Sequence, residues 1–271
     1  MTTTLVKPPA LTAMPISPMW WSLQKAHGEV FRWGTYTCWN SMLPKQSNLA
    51  HINGLTKLAE VLLRRLAAYS HGPQLDHGLM MLAIGIHDDP EALLRRDVCY
   101  YKKTGNDDLD EFRAFAALVE DNAERMIMLE AFLLQFVTKD FSAFDVEPEA
   151  MKILNRLRRV RLVDAKLFNA FQRLDYVEYA QMCWDICKDP VILTHVFRNQ
   201  AKPLETYGYQ VPGFQEFCWT KEHVQTAQAF MDHFKDMPDP DGQRSVRSAY
   251  EWARDNGHMP EGFVLGPGPT E

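Results

Sequence analysis

His87 and Asp88 stand side by side where a nearly apolar segment (LMMLAIGI, residues 79–86) gives way to Asp89-Pro90-Glu91. A neutral imidazole and a carboxylate turned toward one point suit a divalent transition metal. Two ligands do not make a site. His51 lies among Leu49, Ile52 and Leu55, and Asp164 lies inside Leu162-Val163-Asp164-Ala165-Lys166-Leu167. A carboxylate in such a stretch is costly to bury unless it is paired or coordinated. On this reading three helices deliver His51, His87, Asp88 and Asp164 to one cavity. Each residue also has an ordinary explanation. An HD dipeptide often arises by chance, a lone histidine is commonly a hydrogen-bonded core or surface residue, and Asp164 can pair with Arg161 or Lys166 on its own helix. The order H…HD…D on successive helices, with an apolar helix leading into the pair, favours the metal.

Helical periodicity supplies the elements that must hold these residues. Leu49, Ile52, Leu55, Leu58, Leu62 and Leu66 recur at three or four residues, which predicts a helix over 48–69 ended by Gly72-Pro73. The segment 79–87 reads as a helix buried nearly all round. Asp89-Pro90 reads as an N-cap followed by proline at the first helical position. A further helix is expected over 109–136, broken near Asp121-Asn122. Another is expected from Pro148 to about Cys187, on the stripe Met151, Leu154, Leu157, Val160, Val163, Leu167, Phe171 and Leu174. No alternating β-branched run is present, so the fold class is all-α. After Thr194 the texture changes, with Pro203, Gly208, Pro212 and Gly213 marking loops, then shorter helices over 221–234 and 245–255 and a mobile tail. The expected division is a domain of residues 1–194 and a C-terminal extension of residues 195–271.

The 271 residues carry 29 Lys+Arg against 35 Asp+Glu, a net charge of −6. A net acidic chain is a poor partner for a nucleic acid polymer, which is gripped by a basic surface. No apolar run approaches the roughly 20 residues that cross a bilayer. The N-terminal stretch has no charged region followed by an apolar run, and the five cysteines show no CxxC spacing. The expected setting is therefore a reducing cytoplasm, without a membrane partner.

His51, His87-Asp88 and Asp164 resemble the H…HD…D signature of the HD-domain metal-dependent phosphohydrolases. The likeness is to the branch of bacterial 5′-deoxyribonucleotidases and phage deoxynucleoside triphosphate triphosphohydrolases. Arg32-Trp33 resembles that branch's Arg-Trp pair, and His87-Asp88-x-x-Glu91 its HDxxE. Asp97 and Lys102-Lys103 resemble the acid and lysine that follow, and Val163-Asp164-Ala165-Lys166-Leu167 its late aspartate motif. The resemblance covers residues 20–185. It departs from the pattern at Ala50, where the family has glutamate, at Ala165, which separates the aspartate from Lys-Leu, and in the spacings of Asp97 and of Arg32-Trp33.

The resemblance implies an HD-type helical bundle, a homo-oligomer such as a dimer, and a single divalent ion on His51, His87, Asp88 and Asp164. Mixed imidazole and carboxylate ligands suit Mn²⁺, Co²⁺, Fe²⁺ or Ni²⁺ better than Mg²⁺. Such an ion lowers the pKa of bound water and neutralises phosphate charge. By analogy Glu91 orients the water or acts as general acid/base, and Asp97 assists proton transfer to the leaving ribose oxygen. Lys102 or Lys103 pairs with phosphate, and Arg32 and Trp33 hold phosphate, sugar or base. Without the family, Glu91 is a helix-start acid, Asp97 a partner of Arg95 or Arg96, the lysines are solvated, and Arg32-Trp33 is structural. The cluster Arg156, Arg158, Arg159 and Arg161 is either a solvated helix face or a triphosphate clamp.

The expected activity is a 5′-nucleotidase on deoxynucleoside monophosphates. The alternative is a triphosphohydrolase that releases tripolyphosphate by cutting the same ester bond. A non-catalytic nucleotide-binding protein on this scaffold is a further alternative.

Overall fold

The apolar stripes become helices. The computed structural model describes residues 18–69, 74–96, 103–120, 124–139, 147–208, 210–239 and 243–269. In it α1 (Pro18–Glu29) and the single turn α2 (Gly34–Thr37) precede α3 (Asn48–Ala68), α4 (His77–Ile86) and α5 (Asp89–Leu94). Then come α6 (Gly105–Leu118), α7 (Arg125–Leu133), α8 (Pro148–Val160), α9 (Leu162–Cys187) and α10 (Pro190–Gly208). The order closes with α11 (Phe214–Phe217), α12 (Lys221–His233) and α13 (Gln243–Asp255). The only strand-like pairing among the described residues is one antiparallel bridge, Phe31 with Ser47, so the fold is all-α. No helix of the described residues is long and apolar enough to cross a membrane.

Helix starts follow ordinary capping chemistry. The Ser47 hydroxyl accepts the Ala50 N–H at 3.2 Å, and Asp76 accepts the Leu79 N–H at 3.0 Å. These caps satisfy donors that have no intrahelical partner. α3 buries Ile52, Leu55, Leu62, Leu63 and Leu66 on one face. Each such side chain, removed from water, contributes about 1.5–3 kcal/mol before chain entropy is subtracted. α9 is the central element. It packs against α3, α4, α8 and α10, with Leu167, Phe168, Ala170 and Phe171 fully buried.

Four expectations change. The long helix from Pro148 breaks at Arg161, whose φ of −130° leaves helical geometry, and its guanidinium pairs with Asp76 at 2.7 Å. Asp164 consequently sits in the first turn of α9. Pro203, expected to mark a loop, lies inside α10, which packs along α9. The N-cap of α5 is Asp88, with Asp89 as its first helical residue. Part of the expected mobile tail is docked. The Gly266 N–H donates to the Trp39 carbonyl at 2.8 Å and that of Gly268 to the Cys38 carbonyl at 3.3 Å. A Cβ on Gly266 would meet the Cys38 oxygen at 2.2 Å, and one on Gly268 the Trp39 ring at 2.4 Å. Both approaches require glycine.

Asp189 joins the two ends of the chain. Its buried carboxylate accepts the Val191 and Ile192 N–H groups at the start of α10, the Asn40 amide at 2.6 Å and the Tyr250 hydroxyl at 2.8 Å. The segment after α2 and the helix α13 thus meet at one buried carboxyl group.

Candidate metal centre and its cavity

Three of the four expected ligands meet. His51 projects from the second turn of α3, His87 follows the last residue of α4, and Asp88 caps α5. The Nε2 atoms of His51 and His87 are 3.2 Å apart. Asp88 Oδ1 lies 3.1 Å from the His87 Nε2, and Oδ2 lies 3.5 Å from the His51 Nε2. All three side chains are buried. Asp88 makes no side-chain cap to α5, so its carboxylate is available to this cluster.

The hydrogen bonds behind the rings fix their tautomers. His51 Nδ1 lies 2.6 Å from the Asp175 carboxylate, and His87 Nδ1 lies 2.8 Å from the Ile84 carbonyl. Both partners only accept, so each Nδ1 carries the proton. In the neutral rings both Nε2 atoms then present lone pairs toward each other and toward a carboxylate. Burial pushes His87 down to about 4, although the Asp88 carboxylate works against it, so this ring is neutral at pH 7. Burial pushes the Asp88 carboxyl up. The His87 ring and the Arg32 guanidinium outweigh that and hold it well below the usual carboxylate range. With His87 uncharged, Arg32 and Lys103 are the permanent positive charges in this balance. In that state the three convergent acceptors repel one another unless a cation joins them, and His51, His87 and Asp88 can hold a metal ion.

Asp164 is not among them. Its carboxylate accepts the backbone N–H of Asp76 at 2.8 Å, and Arg161 lies nearby. Burial raises its pKa, partly offset by that N–H and by Arg161. It therefore ties the start of α9 to the start of α4. The acid that α9 sends to the centre is Asp175, bonded to the outer nitrogen of His51. Its neighbour Tyr176 accepts from Arg32 at 3.3 Å, and Arg32 donates to Asp88 at 2.9 Å. Successive residues of α9 thus orient both flanks of the cluster. The stretch from Phe171 to Tyr179 also holds Gln172, Arg173 and Glu178, so nothing in its composition marks Asp175 out.

The cluster opens on a cavity of about 450 Å³. Arg32, Trp33, Glu91 and Lys103 line it. Glu91 is buried and accepts the Asn48 amide at 2.8 Å. Lys103 reaches Glu111 at 2.6 Å. Burial disfavours its charge, but Glu111, Glu91 and Asp108 raise its pKa well above the ordinary value. The Trp33 indole stacks on Tyr179 with centroids 4.7 Å apart and donates to Gln46 at 2.9 Å. Its backbone φ of +63° is strained for a bulky residue, and these contacts hold it there. Asp97 and Lys102 lie outside the described residues.

The arginine cluster of α8 does not serve this cavity. Arg156 pairs with Glu130, Arg161 with Asp76, and Arg158 donates to the Val137 and Lys139 carbonyls. A further part of the lining comes from α9 and α10 instead. It includes Asn169, Gln172, Arg173, Tyr176, His195, Asn199 and Gln200, none of which the sequence had singled out. A buried pair links α1 to α5, with His27 Nε2 2.8 Å from Asp89.

No protein-family model, no curated protein and no solved structure matches the chain.

Proposed function

We propose that this protein is a metal-dependent phosphohydrolase that cuts the ester bond between the 5′ oxygen and the adjacent phosphorus of a deoxyribonucleotide. The observation that carries the reading is the meeting of His51 Nε2, His87 Nε2 and Asp88 at one end of a cavity that also contains Arg32, Glu91 and Lys103. The HD-type pattern of the sequence supports the reaction class and the deoxyribonucleotide. His51, His87 and Asp88 would hold a divalent ion, with Mn²⁺, Co²⁺, Fe²⁺ and Ni²⁺ as the candidates for this donor set. When bound, the ion supplies Lewis-acid stabilisation of phosphate charge and a lowered pKa for water.

The protein groups divide the remaining work. Glu91, fixed by Asn48, takes a proton from the attacking water. As the new P–O bond forms, the bond to the ribose 5′ oxygen breaks, and that oxygen leaves with the proton returned by Glu91. Arg32 and Lys103, each already held by a carboxylate (Asp88 and Glu111), are the fixed cations that would meet the phosphate oxygens. Trp33 offers an aromatic surface to the sugar or base.

The test is a product assay. Metal-stripped protein is supplied with Mn²⁺ or Co²⁺ and a panel of deoxynucleoside mono- and triphosphates, and phosphate and tripolyphosphate are separated. Metal-dependent release of either supports the reading. No release with any metal and any nucleotide refutes it.

A further inference from the structure

Four cationic side chains line the cavity, Arg32, Lys103, Lys139 and Arg173. Three are already matched by carboxylates: Arg32 by Asp88 at 2.9 Å, Lys103 by Glu111 at 2.6 Å, and Lys139 by Asp108 at 2.8 Å. Arg173 is different. Among the described residues no carboxylate pairs with it, and its one hydrogen-bond partner is the neutral carboxamide oxygen of Gln200. Its Nε–H is buried and has no acceptor. A buried guanidinium donor without an acceptor is costly, and the fork geometry of arginine suits phosphate oxygens.

The position is also specific. Arg173 precedes Tyr176 by three residues on α9, so the two are neighbours on one helix face. Tyr176 accepts from Arg32, which in turn holds Asp88. Arg173 therefore stands about 5 Å along the helix from the residue that touches the metal-cluster network, on the wall shared with α10. Gln200 is itself buried and fixes the guanidinium from that side.

We infer that Arg173, held by Gln200, is an anion subsite that takes the distal phosphates of a nucleoside polyphosphate, an inference that rests on the phosphohydrolase reading and deepens it. The phosphate attached to ribose lies at His51, His87 and Asp88, and the phosphates beyond it reach the α9–α10 wall. This favours a triphosphate over a monophosphate as substrate.

The experiment measures binding without turnover. In EDTA, calorimetry compares inorganic tripolyphosphate and a deoxynucleoside triphosphate on the wild type, Arg173→Met and Arg156→Met. Loss of a charged hydrogen-bond donor is expected to weaken both ligands about tenfold or more in Arg173→Met. Arg156→Met, which alters a cation paired outside the cavity, is expected to match the wild type. Circular dichroism checks folding. If Arg173→Met does not fold, Arg173→Lys replaces it, with an expected loss of several-fold. Equal affinities in the arginine variants and wild type, or no tripolyphosphate binding by the wild type, overturn the inference. Loss for tripolyphosphate alone overturns the subsite's place in nucleotide binding. Failure of the product assay with Arg173-dependent tripolyphosphate binding intact would sink the hydrolase reading and leave a polyphosphate-binding site.

Discussion

The Nε2 atoms of His51 and His87 face each other at 3.2 Å, while each ring commits its Nδ1 proton to an acceptor on the opposite side. When both rings are neutral, no proton lies between the two nitrogens. Asp88 brings a third acceptor to the same point. The arrangement is prepared for a cation, and its consequences are measurable.

Asp88→Ala is expected to abolish Mn²⁺ binding and turnover. It also leaves Arg32 buried without its carboxylate, which costs about 3–5 kcal/mol. Calorimetry should show no metal uptake, and thermal unfolding a lower midpoint with the helical signal preserved. Metal affinity equal to wild type would remove Asp88 from the centre.

Asp175 and Asp164 separate by their effects. Asp175→Asn disturbs the partner that sets the His51 tautomer, and metal affinity is expected to fall about 10–100-fold. Asp164→Ala loses the acceptor for the Asp76 N–H, at about 1–3 kcal/mol of stability. Its metal affinity is expected to stay within about twofold of wild type. The reverse pattern would restore Asp164 as the ligand.

Glu91→Gln retains an oxygen for Asn48 but no longer accepts a proton from water. Metal binding is expected to persist while kcat falls about 10²–10⁴-fold. Full activity in this variant would exclude Glu91 from proton transfer.

Gly266→Ala tests the docked C-terminal segment. The added Cβ would collide with the Cys38 carbonyl, and the segment would have to shift from Trp39. A cost of about 1–3 kcal/mol and altered tryptophan fluorescence are expected. Unchanged stability and fluorescence would mean that the segment does not hold this position in solution.

Much of this architecture was legible from side-chain spacing. The stripe from Leu49 to Leu66 specifies α3, and the apolar run into His87-Asp88 specifies how α4 delivers the pair. The choice between Asp164 and Asp175 was not legible. They are eleven residues apart on α9, which is about three turns with an angular offset of roughly 20°. Both therefore present nearly the same face, and periodicity cannot say which level of the helix meets α3. The break at Arg161 sets that level, and it depends on a contact with Asp76, distant in sequence. Arg173, His195 and Gln200 were hidden for a related reason. Their role comes from α9 and α10 sharing a wall, while Pro203 and the glycines beyond it suggested that the site had already ended.

The central claim is best tested by anomalous diffraction from crystals of the protein loaded with Mn²⁺. The account predicts one strong peak roughly 2.0–2.4 Å from His51 Nε2, His87 Nε2 and a carboxylate oxygen of Asp88. A site that stays empty at saturating Mn²⁺, or a peak bound elsewhere without these three atoms, would contradict it.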